Sequence, residues 1–281
     1  MDGTTTDRLS REDFLRLSAF ITTNFGIKLP EHKVVLLQSR LLKRVRLNGF
    51  TNFADYTNFI FSAQGLQERN KLIDYVSTNK TDFFREAKHF DFLAQQIPSM
   101  LSKSYSHLKV WSAGCSSGEE PYTIAMTLEE LKKTYTGFDY GILGTDISSR
   151  ILQKASKAVY GMDQMIDVPD YYQKTYFDKG KTNKGAMAFQ IKSRLRNKTT
   201  FKRLNLMDEF SSLPHHFDFI FCRNVLIYFD FHTQKQILSK FLNKLKPDGI
   251  LFIGHAESTL GMNLPLTQLM PSVYRKATYI E

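Results

Sequence analysis

Glu119 and Glu120 follow a run of small residues, Ala113, Gly114, Cys115, Ser116, Ser117 and Gly118, which itself follows the apolar Val110 and Trp111. Residues 109–126, KVWSAGCSSGEEPYTIAM, thus read as a strand, a glycine-rich turn and a helix N-terminus. Such a turn lets backbone approach a nucleotide-like ligand closely. Two carboxylates in the first helical turn would repel a phosphate, since both seek the positive end of the helix dipole. A ligand with a neutral ribose or a cationic centre meets no such penalty. A second apolar run, 140–143, ends in Gly144, Thr145 and Asp146, and an acidic residue there suits the two hydroxyls of a ribose. Together these features point to adenosine without a pyrophosphate, which means S-adenosylmethionine. An ordinary strand–turn–helix corner carries the same glycines, so the loop alone is a weak signal.

Residues 77–86, STNKTDFFRE, hold a second group. Asn79 and Thr81 offer hydrogen-bonding side chains, and Arg85 a rigid cationic fork matched to a carboxylate. The same string also reads as a cap at Thr81 and Asp82 opening a helix that buries Phe83 and Phe84, and the pattern does not choose between the two. Residues 217–230, FDFIFCRNVLIYFD, form an apolar strand ending in Arg223 and Asn224, with Tyr228 just beyond. The carboxyl edge of an open α/β sheet is where ligands bind. Asn205 and Leu206 end another strand, ahead of Met207 and Asp208. The seven histidines show no metal-ligand spacing, and no Ser/His/Asp arrangement is supported, so no metal site is expected. Cys115 reads as a small loop residue.

The elements that hold these residues change character along the chain. Residues 10–95 read as helices: one capped by Ser10, one over about 31–47, one marked by Phe53, Tyr56, Ile60 and Phe61, and one over 68–76. In the second, Val34, Leu37, Leu41 and Val45 share a face at about 100° per residue. Lys33, Arg40, Lys43 and Arg44 share the opposite arc, either as a solvated face or as a dock for an acidic partner. From residue 108 short apolar runs at 109–113, 140–145, 200–204, 217–222 and 249–254 alternate with helices near 119–134, 147–158 and 232–246. Alternation of this kind implies a mostly parallel sheet with helices on both faces. Residues 161–199, with a turn expected at 179–185, break it as a small antiparallel insertion, and 273–280 read as part of a closing hairpin. The expected division is a helical domain over 1–92 and an α/β domain over 93–281.

The chain has 281 residues, 42% of them hydrophobic, which supplies a sizeable core. A formal charge of +10 suits an acidic partner, whether nucleic acid, anionic lipid or acidic protein. Two cysteines make no disulfide framework and fit a reducing compartment. The N-terminus is polar and no apolar run approaches the length of a membrane span, so a cytoplasmic protein without membrane insertion is expected.

In order along about residues 10–280, TNKTDFFRE, WSAGCSSGEEPYTIA, GTDIS, NLMD and FCRNVLIYFD resemble the chemotaxis-receptor glutamate methyltransferases, the CheR family. The resemblance implies an all-α N-terminal domain followed by a Rossmann-like class I methyltransferase sheet with a small antiparallel β insertion. It implies methyl transfer from S-adenosylmethionine to receptor glutamates, leaving S-adenosylhomocysteine. Residue by residue, Asn79, Thr81, Arg85, Glu119, Asp146, Asn205, Leu206, Arg223 and Asn224 would line the cofactor site, with Arg85 and Tyr228 at the transfer centre. The partner would be the cytoplasmic helical domain of chemotaxis receptors, met by Arg40, Lys43 and Arg44. Some family members hold a receptor tail peptide on the insertion, and this one cannot be matched residue by residue. Two rivals are a nucleic-acid methyltransferase and a non-catalytic S-adenosylmethionine-responsive module. The first would want an Asn/Asp-Pro-Pro-aromatic loop where this chain has Arg223, Asn224, Val225 and Leu226, and the second a broken transfer centre.

Overall fold

The computed structural model describes residues 8–101 and 107–277. Contacts divide the chain into two compact units, one running to Thr78 and including Tyr228–Thr233, the other comprising Asn79–Ile227 and the chain from Gln234. The boundary therefore falls before the expected residue 92. The reason is that residues 79–87 spend their hydrogen bonds on the second unit, as described below.

In the first unit, α1 (Arg11–Phe25) begins where the Ser10 hydroxyl accepts the Asp13 amide at 3.0 Å. It ends at Gly26, whose φ of 70° is a left-handed cap that glycine adopts without a Cβ clash. A single 3-10 turn, Glu31–Lys33, leads into α2 (Val34–Leu47), and α3 (Phe53–Phe61) is capped by Asn52. The helix expected over 68–76 is instead two, α4 (Leu66–Lys71) and α5 (Ile73–Val76). Breaking at Leu72 lets the adjacent Leu72 and Ile73 both be buried, which one regular helix face could not easily do. Leu17, Ile21, Leu41, Tyr56 and Ile60 form the centre of this unit, each fully buried.

In the second unit, α6 (Lys88–Leu101) precedes β1 (His107–Ala113), α7 (Glu119–Thr134), β2 (Asp139–Asp146) and α8 (Ser149–Lys157). Next come β3 (Val159–Tyr160), α9 (Asp170–Tyr176), β4 (Phe177–Lys181), β5 (Met187–Ile191), α10 (Ser193–Arg196) and β6 (Thr199–Arg203). Then follow β7 (Phe217–Cys222), α11 (Phe231–Lys244), β8 (Leu245–Ile253), β9 (Leu266–Met270) and β10 (Val273–Lys276). Seven strands form one sheet in the order β6-β2-β1-β7-β8-β10-β9. The pairs β6–β2, β2–β1, β1–β7 and β7–β8 are parallel, and β10 and β9 close the edge antiparallel. Residues 278–280, the end of the expected hairpin, lie outside the described residues. All of β7, FDFIFC, is buried, as a central parallel strand covered on both faces should be. Phe221 on β7 stacks on Phe252 of β8 at 4.1 Å, and the Trp111 indole donates to Thr145 at 2.9 Å across β1 and β2.

The insertion is a three-stranded antiparallel sheet, β3-β5-β4. Its turn lies at 182–186, closed by Thr182 N–H to the Ala186 carbonyl at 2.8 Å, so Lys179–Lys181 belong to β4 rather than to the expected turn. Tyr171, Tyr172 and Tyr176 sit on the short α9 ahead of it.

Candidate active site

Because β6, β2, β1, β7 and β8 run parallel, their carboxyl ends meet along one edge. β1 feeds the turn at 114–118, where Gly114 and Gly118 have φ of 78° and 98°, backbone that side chains rarely tolerate. The turn is drawn onto β2: Gly114 and Cys115 amides donate to the Thr145 carbonyl at 2.7 and 2.9 Å. Asp146 then accepts the Ser116 amide at 3.0 Å and the Ser148 amide at 2.9 Å. Its carboxylate is thus fixed between the glycine-rich turn and the start of α8. At the end of β6, the Leu204 amide donates to the Asp146 carbonyl at 3.0 Å, bringing Asn205 and Leu206 alongside. The Leu206 carbonyl is held by the Lys240 ammonium at 2.7 Å, and the Asn205 side chain accepts the Met207 amide at 3.1 Å.

Glu119 is buried at the start of α7 and accepts the Ser117 hydroxyl and the Gln164 side-chain amide, the latter at 2.9 Å from the insertion. Burial outweighs these donors and raises its pKa above the ordinary carboxylate range. Burial raises Glu120 as well, against the opposing pull of Arg223. The Cys115 thiol is pushed well up by burial, which removes any reactive role suggested by its place beside a helix N-terminus.

The string at 79–87 is not a helix. Phe84 and Glu86 both have φ of 55°, which a helix cannot accommodate, so α6 begins only at Lys88. The segment lies against the sheet edge instead: the Ser116 hydroxyl donates to the Asn79 carbonyl at 3.0 Å, and the Phe84 amide donates to the Thr123 hydroxyl at 3.2 Å. Thr81 is half-buried between them, and Phe83 is fully buried against Tyr160 and Phe177. Among the described residues, the Arg85 guanidinium donates to the Lys80 carbonyl at 3.2 Å in a solvent-exposed bond.

Arg223 is the opposite case. Its side chain is 2% exposed and bridges Glu86 at 3.1 Å, Glu120 at 3.3 Å and the Arg85 carbonyl. Resemblance assigns it to the cofactor, but its observed partners are protein groups: it bolts the 79–87 turn onto β7 and α7. The Asn224 side chain likewise donates to Glu86 at 3.3 Å. Burial would raise the Glu86 pKa, but Arg223, Asn224 and the His255 amide together hold it below the ordinary value. His89 Nδ1 lies 3.5 Å and His255 Nε2 4.0 Å from the same carboxylate. Burial, then Arg223, lowers His89 to about 4, so it is neutral there. Glu86 and Gln164 are therefore site-shaping residues that motif reading passed over, whereas Glu120 stood in it as one of the two carboxylates of the first helical turn. Glu86 stood beside Arg85 in the same string, whereas nothing in the sequence marks Gln164.

Tyr228 falls in the first unit, its carbonyl accepting the Lys28 amide at 3.1 Å. The expected basic dock is corrected for two of its three residues. Arg40 is turned inward to the Val76 carbonyl and to the Thr78 hydroxyl at 2.9 Å. Arg44 pairs with the buried Glu68, which also accepts the Tyr56 hydroxyl at 2.8 Å. A buried carboxylate needs a cation, and Arg44 on α2 supplies it. Lys43 remains exposed, with Arg46 beside it.

Among the described residues, the groups lining this edge are mostly carboxylates, carboxamides and backbone, with Arg85 beside them. That donor and acceptor set fits hydroxyls, an amine or a sulfonium far better than it fits phosphates. With the parallel sheet and its glycine-rich first turn, it defines an S-adenosylmethionine-dependent methyltransferase. The family model described as "CheR methyltransferase, SAM binding domain" matches residues 79–274, and "CheR methyltransferase, all-alpha domain" matches 12–77. The chain is 43% identical to the chemotaxis protein methyltransferase of Borreliella burgdorferi over 274 residues, 95% of each chain. It is 38% identical to that of Escherichia coli K12 over 271 residues, 96% of this chain and 93% of the relative. It is 34% identical to chemotaxis protein methyltransferase 2 of Pseudomonas aeruginosa over 268 residues, 95% and 94%. The chain belongs to the CheR methyltransferase family.

Proposed function

We propose that this chain methylates glutamate side chains on the cytoplasmic helical domain of chemotaxis receptors, producing glutamyl methyl esters and S-adenosylhomocysteine. The observation that carries this reading is the carboxyl edge of the sheet, where Asp146, held by two amides, and Asn79 of the segment that carries Arg85 both bond to Ser116 of the glycine-rich turn. The names of the relatives supply the chemotaxis setting.

S-adenosylmethionine, when bound, supplies an electrophilic methyl on a sulfonium whose departure leaves a neutral thioether. Asp146 would hold the ribose, and Asn79, Thr81, Glu119, Asn205, Leu206 and Asn224 the rest of the cofactor; Arg223 would act by fixing the turn. A glutamate carboxylate, with an ordinary pKa of about 4.3, is ionised at neutral pH, so the chain needs no general base. Its task is positioning. Arg85 would orient the incoming carboxylate, and its solvent-exposed bond suits that role, since a tight buried pair would blunt the nucleophile. Tyr228 is assigned to the transfer step on resemblance.

Among the described residues no helix is long and apolar enough to cross a membrane. A cytoplasmic enzyme reaching receptors from solution is the reading that the chemotaxis names of the relatives support. The β4 edge of the insertion, with Asp178–Lys181 exposed, is proposed to receive a receptor tail by strand addition. The test is transfer of labelled methyl from S-adenosylmethionine to receptor-enriched membranes. Base-labile label on receptor protein supports the proposal. Label on nucleic acid, or base-stable label, would overturn it.

A further inference from the structure

Glu257 lies beyond β8, in a turn closed by its own amide to the Gly254 carbonyl at 2.9 Å. No motif drew attention to it. Its carboxylate accepts four backbone N–H groups. Oε1 takes Leu226 at 2.6 Å and Ile227 at 3.3 Å, and Oε2 takes Gly254 at 2.5 Å and Asn224 at 3.1 Å. Three of the four belong to one loop, the segment after β7 that carries Arg223 and Asn224. A single side chain thus gathers the amides of a loop that has no regular partner for them.

The loop needs holding. Asn224 has φ of 58°, a left-handed backbone conformation that costs energy outside glycine unless its surroundings impose it. Gly254 makes room for it: a Cβ there would stand 2.6 Å from Asn224 Nδ2 and 2.7 Å from the Asn224 amide nitrogen. The Asn224 side chain then reaches Glu86 and so meets the turn that carries Arg85. Burial raises the Glu257 pKa against the pull of the surrounding amides.

We propose that Glu257 is a positioning residue for methyl transfer: its carboxylate clamps the amides of residues 224–227 and presets Asn224 in the conformation that holds the cofactor. The proposal rests on the reading of Asn224 as a cofactor residue. It assigns to the Gly254–Glu257 turn a role in the reaction as well as in the fold.

The test uses the full-length protein with Glu257→Gln, which keeps the shape but turns an N–H₂ toward amides that need an acceptor. Gly254→Ala is the second variant; it keeps Glu257 as a carboxylate and crowds Asn224, with the new Cβ also 3.0 Å from Glu257 Oε2. Three quantities are read: thermal melting, hydrogen exchange at the Asn224, Leu226 and Ile227 amides, and S-adenosylhomocysteine affinity by calorimetry well below the melting temperature. In both variants exchange at those amides should rise and affinity should fall roughly tenfold or more, as expected for lost hydrogen bonds to a charged acceptor. The Michaelis constant for S-adenosylmethionine should rise more than kcat falls. Wild-type exchange at the three amides overturns the clamp. Faster exchange and a lower melting temperature with unchanged affinity reduces Glu257 to structural support and overturns the role in catalysis. Asn224→Ala separates the two readings: unchanged affinity there means that Asn224 is no cofactor residue, while the exchange result still judges the clamp.

Discussion

Asp146 owes its place to two amide contacts, which fix its carboxylate between the glycine-rich turn and the start of α8. Hydrogen bonds from a ribose to a charged acceptor are worth about 1.5–3 kcal/mol, so Asp146→Ala should weaken S-adenosylmethionine binding roughly ten- to a hundredfold. Calorimetry on the folded variant checks this, and unchanged affinity would remove Asp146 from the site. Arg85→Ala and Tyr228→Phe should lower turnover at saturating cofactor more than they lower cofactor affinity, because misplacement by about 1 Å can cost roughly a hundredfold in rate. Arg223 behaves differently. Its removal strands Glu86 and Glu120 without their cation, and breaking a buried pair costs about 3–5 kcal/mol. Arg223→Ala should therefore show first as a lower unfolding midpoint in denaturant. A normal midpoint with lost cofactor binding would return Arg223 to direct cofactor contact.

At the scale of elements, α2 shows how a helical wheel can mislead. The wheel puts Arg40, Lys43 and Arg44 on one arc, and the alternation of Leu37, Leu41 and Val45 inward is as expected. A wheel does not show where a long side chain ends. Arg44 ends on Glu68 of α4, so Arg44→Glu should destabilise the first unit, placing a second carboxylate against a buried one. The same pair predicts a pH dependence. Burial would raise the Glu68 pKa, but Arg44 and Tyr56 hold it below the ordinary 4.5. A carboxylate lowered on folding contributes stability that is present above its unfolded pKa and is lost as pH falls below it. Stability against denaturant should therefore fall as pH drops below about 5, and Glu68→Gln, less stable at neutral pH, should lack that part of the slope. The 79–87 segment teaches a related lesson. Its residues suit a helix cap equally well, and only the positive φ values at Phe84 and Glu86, held by contacts far along the chain, decide against it.

For the molecule as a whole, the +10 charge favours acidic partners and steers encounter at low salt. Lys43 is the exposed residue of the expected dock on α2 and so the one fitted to test that role. Lys43→Glu should leave fold and cofactor binding intact and slow receptor methylation. The wild-type rate should fall as salt rises, because the Debye length shrinks from about 10 Å at 0.1 M to about 3 Å at 1 M, and the variant should flatten that dependence. Equal rates at low salt would make the face merely solvated.

Local pattern alone determined the alternation of strands and helices from residue 107 onward, the helical character of the first unit and the glycine-rich turn at 114–118. Each depends on periodicity or on a backbone conformation that neighbours in sequence dictate. The motifs at 77–86, 109–126, 144–148 and 217–230 likewise hold residues that lie at the sheet edge. Their partners were decided by tertiary structure. Arg223 and Glu86 are 137 positions apart, and Asn224 and Glu257 are 33. No periodicity links residues at such separations. Parallel pairing sets which strand ends are neighbours, and burial then sets which charges must find each other: it turns Arg40 and Arg44 inward and gathers four amides onto Glu257.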